Sequence, residues 1–358
     1  MAFWRFDSER ASTEVSESVI IHMTQVSMSP IPVEFLQEFR QVIADAQKIV
    51  VIAHFRPDGD AIGSTIAMSE ALRAQGKQVL SCNEDVVPEK LIFLPGTETI
   101  VPTPSEPVDA DVLIVLDNGT WRRIGDRGMQ ALSKIPVRIN IDHHQTNEGY
   151  GQLNCVCAEQ CATSAVLYYL FRDLGWDITP TMRDCLYAGI STDTGSFQYD
   201  KTTPAVMEMA GHLLSLGVNV HEINRQLYQE IPWASIQLSR ETLNSMQLEA
   251  DGKIAYVVLS LARKNELGVT EDDTDGLIDI PRSIKGVVSA IVFEEMADGR
   301  IRISLRSKDA RLSVSAIATQ FGGGGHAMAA GVRMRCTLQE AQNRILTAVK
   351  QAISEQGI

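Results

Sequence analysis

No stretch of this sequence reaches the roughly 18 consecutive apolar residues that a membrane-spanning helix needs, so it offers no candidate for one. Basic charge is also scarce. There are 32 Lys and Arg against 45 Asp and Glu, a net charge of −13. A protein that coats nucleic acid usually presents a basic surface, and that class is disfavoured. A small phosphate-bearing substrate is not, because local charge and bound ions matter more than the total. Cysteine is sparse: Cys82, Cys155, Cys157, Cys161, Cys185 and Cys336 form no pair of CxxC knuckles. The cluster CVCAEQC lacks a fourth nearby ligand for zinc, so buried reduced thiols are the better reading, as in a cytoplasmic protein. The first residues, MAFWRFDSERASTEVSESVIIHMTQVSMS, lack an apolar core followed by a cleavage site and do not read as a secretory signal. Residues 1–29 are expected to be an N-terminal extension.

What is present is a chain of 358 residues, 44% hydrophobic and 22% charged. That is too long for one ordinary core and predicts two domains. PVEFLQEFRQVIADAQ has apolar residues at helical spacing. KIVVIAH, KQVLSC, DVLIVLD and VRINID read as strands, with helices such as AIGSTIAMSEALRAQG and QCATSAVLYYLFRDLGW between them. This alternation predicts an α/β domain over residues 30–215, a parallel sheet with helices on both faces. A helical stretch reads as a connector over 216–249. A smaller α/β domain is expected over 250–358, with KIAYVVLSL, KGVVSAIVFEEM, RIRISLRS and GVRMRC as strands and LQEAQNRILTAVKQAI as a closing helix. EDDTDGLID resembles a calcium loop only superficially. Counted from Glu271, its twelfth position is Arg282, where a bidentate Glu is required, and it reads as a solvated loop.

The segment INIDHHQTN raises the chemical question, since an acid and two adjacent imidazoles close a strand. Similar groups close other elements: His54, Asp58 and Asp60 in AHFRPDGDAIGS, Asp117 in LIVLDNGT, and Asp193 in AGISTDTGSF. Taken singly, each is a satisfied strand-end histidine, a turn acid or a helix cap. Taken together they are hard to explain by capping. Open parallel sheets gather their sites beyond the carboxyl ends of the strands, so these clusters should converge. Carboxylates without compensating Lys repel one another. One or two divalent cations such as manganese, magnesium or zinc relieve that repulsion.

The ordered set HFRPDGDAIGS, LDNGT, IDHH and STDTGSF resembles the four motifs of the DHH phosphoesterase superfamily. FGGGGHAMAAG is similar to the signature of the DHH-associated C-terminal domain. The resemblance spans about residues 30–355, and its nearest group is the short-oligoribonucleotide hydrolases that also act on 3′-phosphoadenosine 5′-phosphate. It implies that His54, Asp58 and Asp117 hold one ion. Asp60, Asp117, His143 and Asp193 would hold a second, with Asp117 bridging. It implies Mn²⁺ as the usual metal, Mg²⁺ or Co²⁺ being compatible with the ligands. Two ions about 3.5–4 Å apart clamp both oxygens of an in-line displacement and lower the pKa of bound water to near 7. His144 would face the substrate, with Asp142 orienting the imidazoles. Asn118-Gly119-Thr120, after Asp117, lies where members of the family vary.

The glycine run and its surroundings suggest how substrate is gripped. Gly323, Gly324 and Gly325 allow backbone N–H groups close to a phosphate, and His326 follows them. Seven basic residues between positions 300 and 335 face one acid, Asp309, forming a local positive island. In RIRISLRS, alternation sets Arg300, Arg302, Ser304 and Arg306 opposite Ile301, Ile303 and Leu305. By resemblance, Arg306 and His326 bind the terminal phosphate or nucleotide, and a cleft between the domains measures a short single-stranded RNA or a small nucleotide. Pyrophosphatase or exopolyphosphatase activity, and soluble hydrolysis of cyclic or linear dinucleotides, are the competing expectations. A catalytically dead sensor would lack a ligand, and all six are present. A homodimer is possible, and no membrane partner is expected.

Overall fold

The computed structural model describes residues 29–269, 272–274 and 276–358. The chain divides into two compact units between Glu230 and Ile231.

In the first unit, β1 (Lys48–Ile52), β2 (Gln78–Asn83), β3 (Ile100–Pro102), β4 (Val112–Leu116), β5 (Val137–Asp142) and β6 (Leu153–Val156) form one sheet. The order is β3-β2-β1-β4-β5-β6, and every recorded pair is parallel. The central strands are buried on both faces, which explains their continuous apolar runs. Ile49, Val51, Val112, Ile114 and Leu116 face one core cluster, and Val50, Ile52, Leu113 and Val115 face the other. The first cluster is closed by α1 (Val33–Asp45), α2 (Gly59–Ala74), α4 (Thr163–Leu174), α5 (Pro180–Asp193) and α6 (Pro204–Ser215). The opposite face is covered more thinly, by the 3₁₀ turn Trp121–Ile124 and the short α3 (Asp126–Leu132). Helices therefore lie on both faces, unequally.

Local chemistry sets the helix ends that matter for the site. Asp58 caps α2, accepting from the N–H groups of Asp60 and Ala61. Thr179 caps α5, whose first residue is Pro180. Proline fits there because that N–H has no helical partner. Gly63 lets α2 and α5 pack closely, since a Cβ there would lie 2.5 Å from the Cys185 carbonyl oxygen. The strand order turns outward in both directions from β1 and β4, so the crevice of an open sheet lies beyond those two strands.

Helix α7 (Val220–Tyr228) belongs to the first unit, whereas α8 (Trp233–Ser245) belongs to the second. The stretch 216–249, expected as a connector, is thus shared between the two units. Its last residues also form a strand, β7 (Gln247–Glu249). The second sheet contains β7, β8 (Ile254–Leu259), β9 (Ser289–Glu295), β10 (Ile301–Ser307), β11 (Gly324–His326) and β12 (Ala329–Met334). Its order is β11-β12-β10-β9-β8-β7, with β8 and β9 parallel and the other pairs antiparallel. α9 (Val314–Thr319) and α10 (Leu338–Glu355) close its larger core.

Two expectations for this unit need correction. The acidic stretch is not simply solvated: Thr274 is buried, and Leu277 and Ile278 pack with Leu238 of α8. Glu271, the first position of the rejected calcium loop, lies outside the described residues. The positive island is also partly neutralised: at least three of its seven basic residues pair with acids, two of those acids lying outside it and the third being its own Asp309. Buried Glu294 takes up both Arg302 and Lys264, Arg300 pairs with Asp298, and Arg311 pairs with Asp309. Strand alternation predicted the polar side of β10 correctly but could not reveal that β9 places an acid opposite Arg302.

Candidate metal centre

Asp117 stands one residue beyond β4, in a left-handed conformation (φ 51°) unusual for a residue other than glycine. This turns its buried carboxylate across the crevice. Oδ2 lies 3.3 Å from His54 Nε2, and Oδ1 lies 3.4 Å from His143 Nε2. His143 Nε2 is also 3.3 Å from Asp193 Oδ2, at the C-terminal end of α5. Asp58 serves two purposes: Oδ1 caps α2, while Oδ2 lies 3.8 Å from His54 Nε2. His54, Asp58 and Asp117 each offer a ligand atom within 4.8 Å of the others, as do Asp60, His143 and Asp193. The six residues expected as ligands thus lie near one another; the group around Asp60 does not include Asp117, and Asp117, His143 and His144 form a third group of the same kind.

Both imidazoles present the atom a metal would use. His54 Nδ1 lies 2.8 Å from the Phe55 carbonyl and His143 Nδ1 lies 3.4 Å from that of Gln160, leaving each Nε2 for the carboxylates. A carbonyl on one ring nitrogen and open acids on the other is the usual setting of a metal-ligating histidine.

The N-terminal half of the chain matches the family described as DHH family, N-terminal domain, over residues 48–190. The DHHA1 domain matches over residues 251–355. The bifunctional oligoribonuclease and PAP phosphatase NrnA of Thermus thermophilus is 32% identical over 86% of this chain and 91% of its own length. The chain belongs to the DHH family. The protein of the same name from Bacillus subtilis is 28% identical over 82% of this chain and 91% of its own. Among solved structures, an exopolyphosphatase-related protein from Bacteroides fragilis superposes with a TM-score of 0.85 at 28% identity, covering 92% of this chain and 99% of that one.

The electrostatics of this DHH site fit a cation. Burial and the neighbouring Asp117 carboxylate push the Asp60 carboxyl up to about 7. Burial, together with Asp60, Asp58 and Asp117, also holds Asp193 well above the carboxylate range. Burial alone would lower His143, but Asp117 opposite it raises the imidazole to about 9. His54 is raised in the same way against its own burial. Asp117 is held well below the ordinary carboxylate range: its burial is outweighed by His143 and His54. Acids that retain protons beside imidazoles that gain them mark a site short of positive charge. Oxygen and imidazole donors are what divalent ions of this class take.

Asp142 accepts from His144 Nδ1 at 2.7 Å and from the His143 backbone N–H at 2.9 Å. It therefore orients one imidazole ring, not both as expected, because the His143 ring turns to the Gln160 carbonyl. His144 Nδ1 also lies 3.6 Å from Asp117 Oδ1.

Several participants were not apparent from sequence. The Thr163 N–H donates to Asp60 Oδ2 at 2.6 Å, the Ser164 N–H donates to Oδ1 at 2.8 Å, and the Thr163 hydroxyl donates to Asp117 Oδ1 at 3.2 Å. Asn147 donates to Asp142 Oδ2 at 2.5 Å and to Asn140 Oδ1 at 2.8 Å, bracing the acid behind His144. Thr163 and Ser164 open α4 with no charged neighbour to flag them, but Asn147 lies within the INIDHHQTN segment itself.

In the second unit, Ala329 pairs with Arg306 on one side and with His326 on the other. The two residues occupy one cross-strand row and hence one face, two strand spacings or about 10 Å apart. Gly323 and Gly325 have a packing role. A Cβ on Gly323 would lie 2.2 Å from the Gly331 carbonyl oxygen, and one on Gly325 2.5 Å from that of Ala329. Gly324 faces open space. No helix among the described residues is long and apolar enough to cross a membrane.

Proposed function

We propose that this chain is a Mn²⁺-dependent phosphohydrolase that cleaves short oligoribonucleotides and removes phosphate from 3′-phosphoadenosine 5′-phosphate. The observation that carries the reading is the division of the Asp117 carboxylate, one oxygen toward His54 and the other toward His143. A carboxylate shared in this way suits a pair of ions. His54, Asp58 and Asp117 would hold one, and Asp60, Asp117, His143 and Asp193 the other. Bound there, two ions supply Lewis-acid charge for the phosphoryl oxygens and water acidic enough to ionise near neutral pH.

The chain's own residues do the remaining work. Asp142, 2.7 Å from His144 Nδ1, would fix the ring's proton there and orient the imidazole toward the substrate or its leaving group. Arg306, with His326 in the same cross-strand row, would bind the far phosphate or nucleotide by a charge-assisted fork. The backbone of the Gly323–Gly325 stretch would assist. The substrate class rests on the two NrnA relatives, whose lengths this chain spans almost entirely.

The Bacteroides fragilis likeness favours a second reading, exopolyphosphate hydrolysis. One panel separates them. The Mn²⁺-loaded protein is given di- to pentaribonucleotides, 3′-phosphoadenosine 5′-phosphate, a linear dinucleotide, pyrophosphate and polyphosphate at equal concentration, with Mg²⁺ and Co²⁺ in parallel. The reading expects the short RNAs and 3′-phosphoadenosine 5′-phosphate to turn over fastest. Faster release of phosphate from polyphosphate or pyrophosphate would reverse it.

A further inference from the structure

Arg123 lies on the 3₁₀ turn that follows Asp117, and two contacts fix it to the loop carrying His54. Its carbonyl accepts the Phe55 N–H at 2.7 Å, and its guanidinium lies over the Phe55 ring, 5.9 Å from the centroid. Its neighbours on this side of the sheet are committed elsewhere: Arg127 is bound to Glu84, and Arg138 stacks 3.5 Å over Trp121. Arg123 makes no ion pair among the described residues, although Asp58 and Asp117 flank the same histidine. Acids outnumber bases in this chain and surface guanidinia readily find carboxylates. One half-buried beside an acid-rich centre, held by a ring and not by an acid, is available to an anion.

We propose that Arg123 binds the reacting phosphoryl group of the substrate on the His54 side of the centre. This rests on the phosphohydrolase reading above and adds a substrate-binding residue to it. A guanidinium fork meets two phosphoryl oxygens at once. The turn's bond to Phe55 keeps that fork in register with His54. Phe55 also takes part, because its ring limits the orientations open to the guanidinium. The sequence gives little sign of this, since WRRIG contains two adjacent arginines and only the fold distinguishes them.

The test uses the full-length, Mn²⁺-loaded protein with Arg123→Met and Arg123→Lys, and inorganic phosphate as the probe. Calorimetric titration should show phosphate binding weakened about 10- to 100-fold in Arg123→Met, the worth of a charge-assisted hydrogen bond, and less in Arg123→Lys. The KM for a triribonucleotide should rise, while Mn²⁺ affinity and melting temperature stay at wild-type values. Phosphate affinity within twofold of wild type in both variants would overturn the proposal. So would a parallel loss of Mn²⁺ affinity in both, or no measurable phosphate binding by the wild type. If the wild type binds phosphate but cleaves neither RNA nor 3′-phosphoadenosine 5′-phosphate, the substrate reading falls and the phosphate titration still decides the role of Arg123.

Discussion

Asp60 Oδ2 accepts the Thr163 N–H at 2.6 Å, and its other oxygen accepts the Ser164 N–H. A fully buried acid on the first turn of α2 is thus seated on the N-terminus of α4, where exposed N–H groups favour negative charge. Each oxygen keeps a lone pair for a metal. The seat is tight, because a Cβ on Gly189 would lie 2.7 Å from Asp60 Oδ1 and 2.1 Å from Ser164 Oγ. Gly189→Ala should therefore displace the acid and weaken metal binding about 10- to 100-fold, the usual effect of disturbing a ligand's support. Titration of Mn²⁺ into the metal-free variant measures it. Wild-type affinity would mean that Asp60 is not a ligand.

Among the described residues, Asp117 is the one acid within ion-pair distance of both His54 and His143. Asp117→Asn keeps its shape but removes the charge, so turnover should fall at least about 100-fold. Excess Mn²⁺ should not restore it, because a neutral amide is a poor bridge between two cations. Initial rates across a Mn²⁺ series provide the check. Full recovery at high metal would show that Asp117 supplies affinity for a single ion only.

Without metal, the first unit should lose stability as pH rises. His143 is raised to about 9 from about 6.5 in the unfolded chain, so its contribution is complete below 6.5 and gone above 9. Asp60 holds its proton to about 7 when folded, against about 4 when unfolded, so its ionisation costs stability over that interval. His54 is raised as well and adds the same sign. Asp117 is depressed, and its contribution is lost only under acid conditions, outside this range. The melting temperature of the metal-free protein should fall by about 5 °C or more between pH 6.5 and 9. A bound divalent ion replaces those protons, so saturating Mn²⁺ should flatten the curve. Equal slopes with and without Mn²⁺ would contradict this.

The residues that end strands were legible in the sequence because their position is dictated by the sheet. Once Val112–Leu116 is a parallel strand beside Lys48–Ile52, Asp117 and His54 must emerge at the same edge. The supports of those residues were not legible. Thr163 and Ser164 act through backbone N–H groups, which any residue carries, and the left-handed turn at Asp117 has no glycine to announce it. In the second unit, alternation placed Arg302 and Arg306 on one side of β10, yet only the pairing with β9 shows that Glu294 has claimed Arg302. The unequal helix layers followed from neither composition nor periodicity, because short turns such as Trp121–Ile124 cover a face without a long apolar pattern.

Glu294 is almost wholly buried, with Lys264 Nζ 2.7 Å from one carboxylate oxygen and Arg302 Nε 2.7 Å from the other. Glu294→Ala leaves two cations without their shared acid, which costs about 3–5 kcal/mol in a buried setting. Urea unfolding of the variant should show that loss in the transition assigned to the second unit. The triple replacement of Glu294, Lys264 and Arg302 by apolar residues should recover much of it, since an intact buried ion group adds little net stability. A triple variant as unstable as the single one would show that hydrogen bonding to Thr274, and not charge balance, holds this corner.

The glycine run allows packing and phosphate contact to be separated. Gly323 is closed by the Gly331 carbonyl oxygen and Val332, whereas Gly324 has open space around it and needs no left-handed backbone. Gly323→Ala should cost stability, by the 1–3 kcal/mol typical of overpacking, seen as a lowered melting temperature. Gly324→Ala should fold as wild type. If the backbone here receives the substrate, the added methyl should raise the KM for a triribonucleotide with kcat little changed, and Arg306→Ala should do the same. Unchanged KM in both variants, with normal folding, would remove this edge of the sheet from substrate binding and leave its glycines explained by β12 alone.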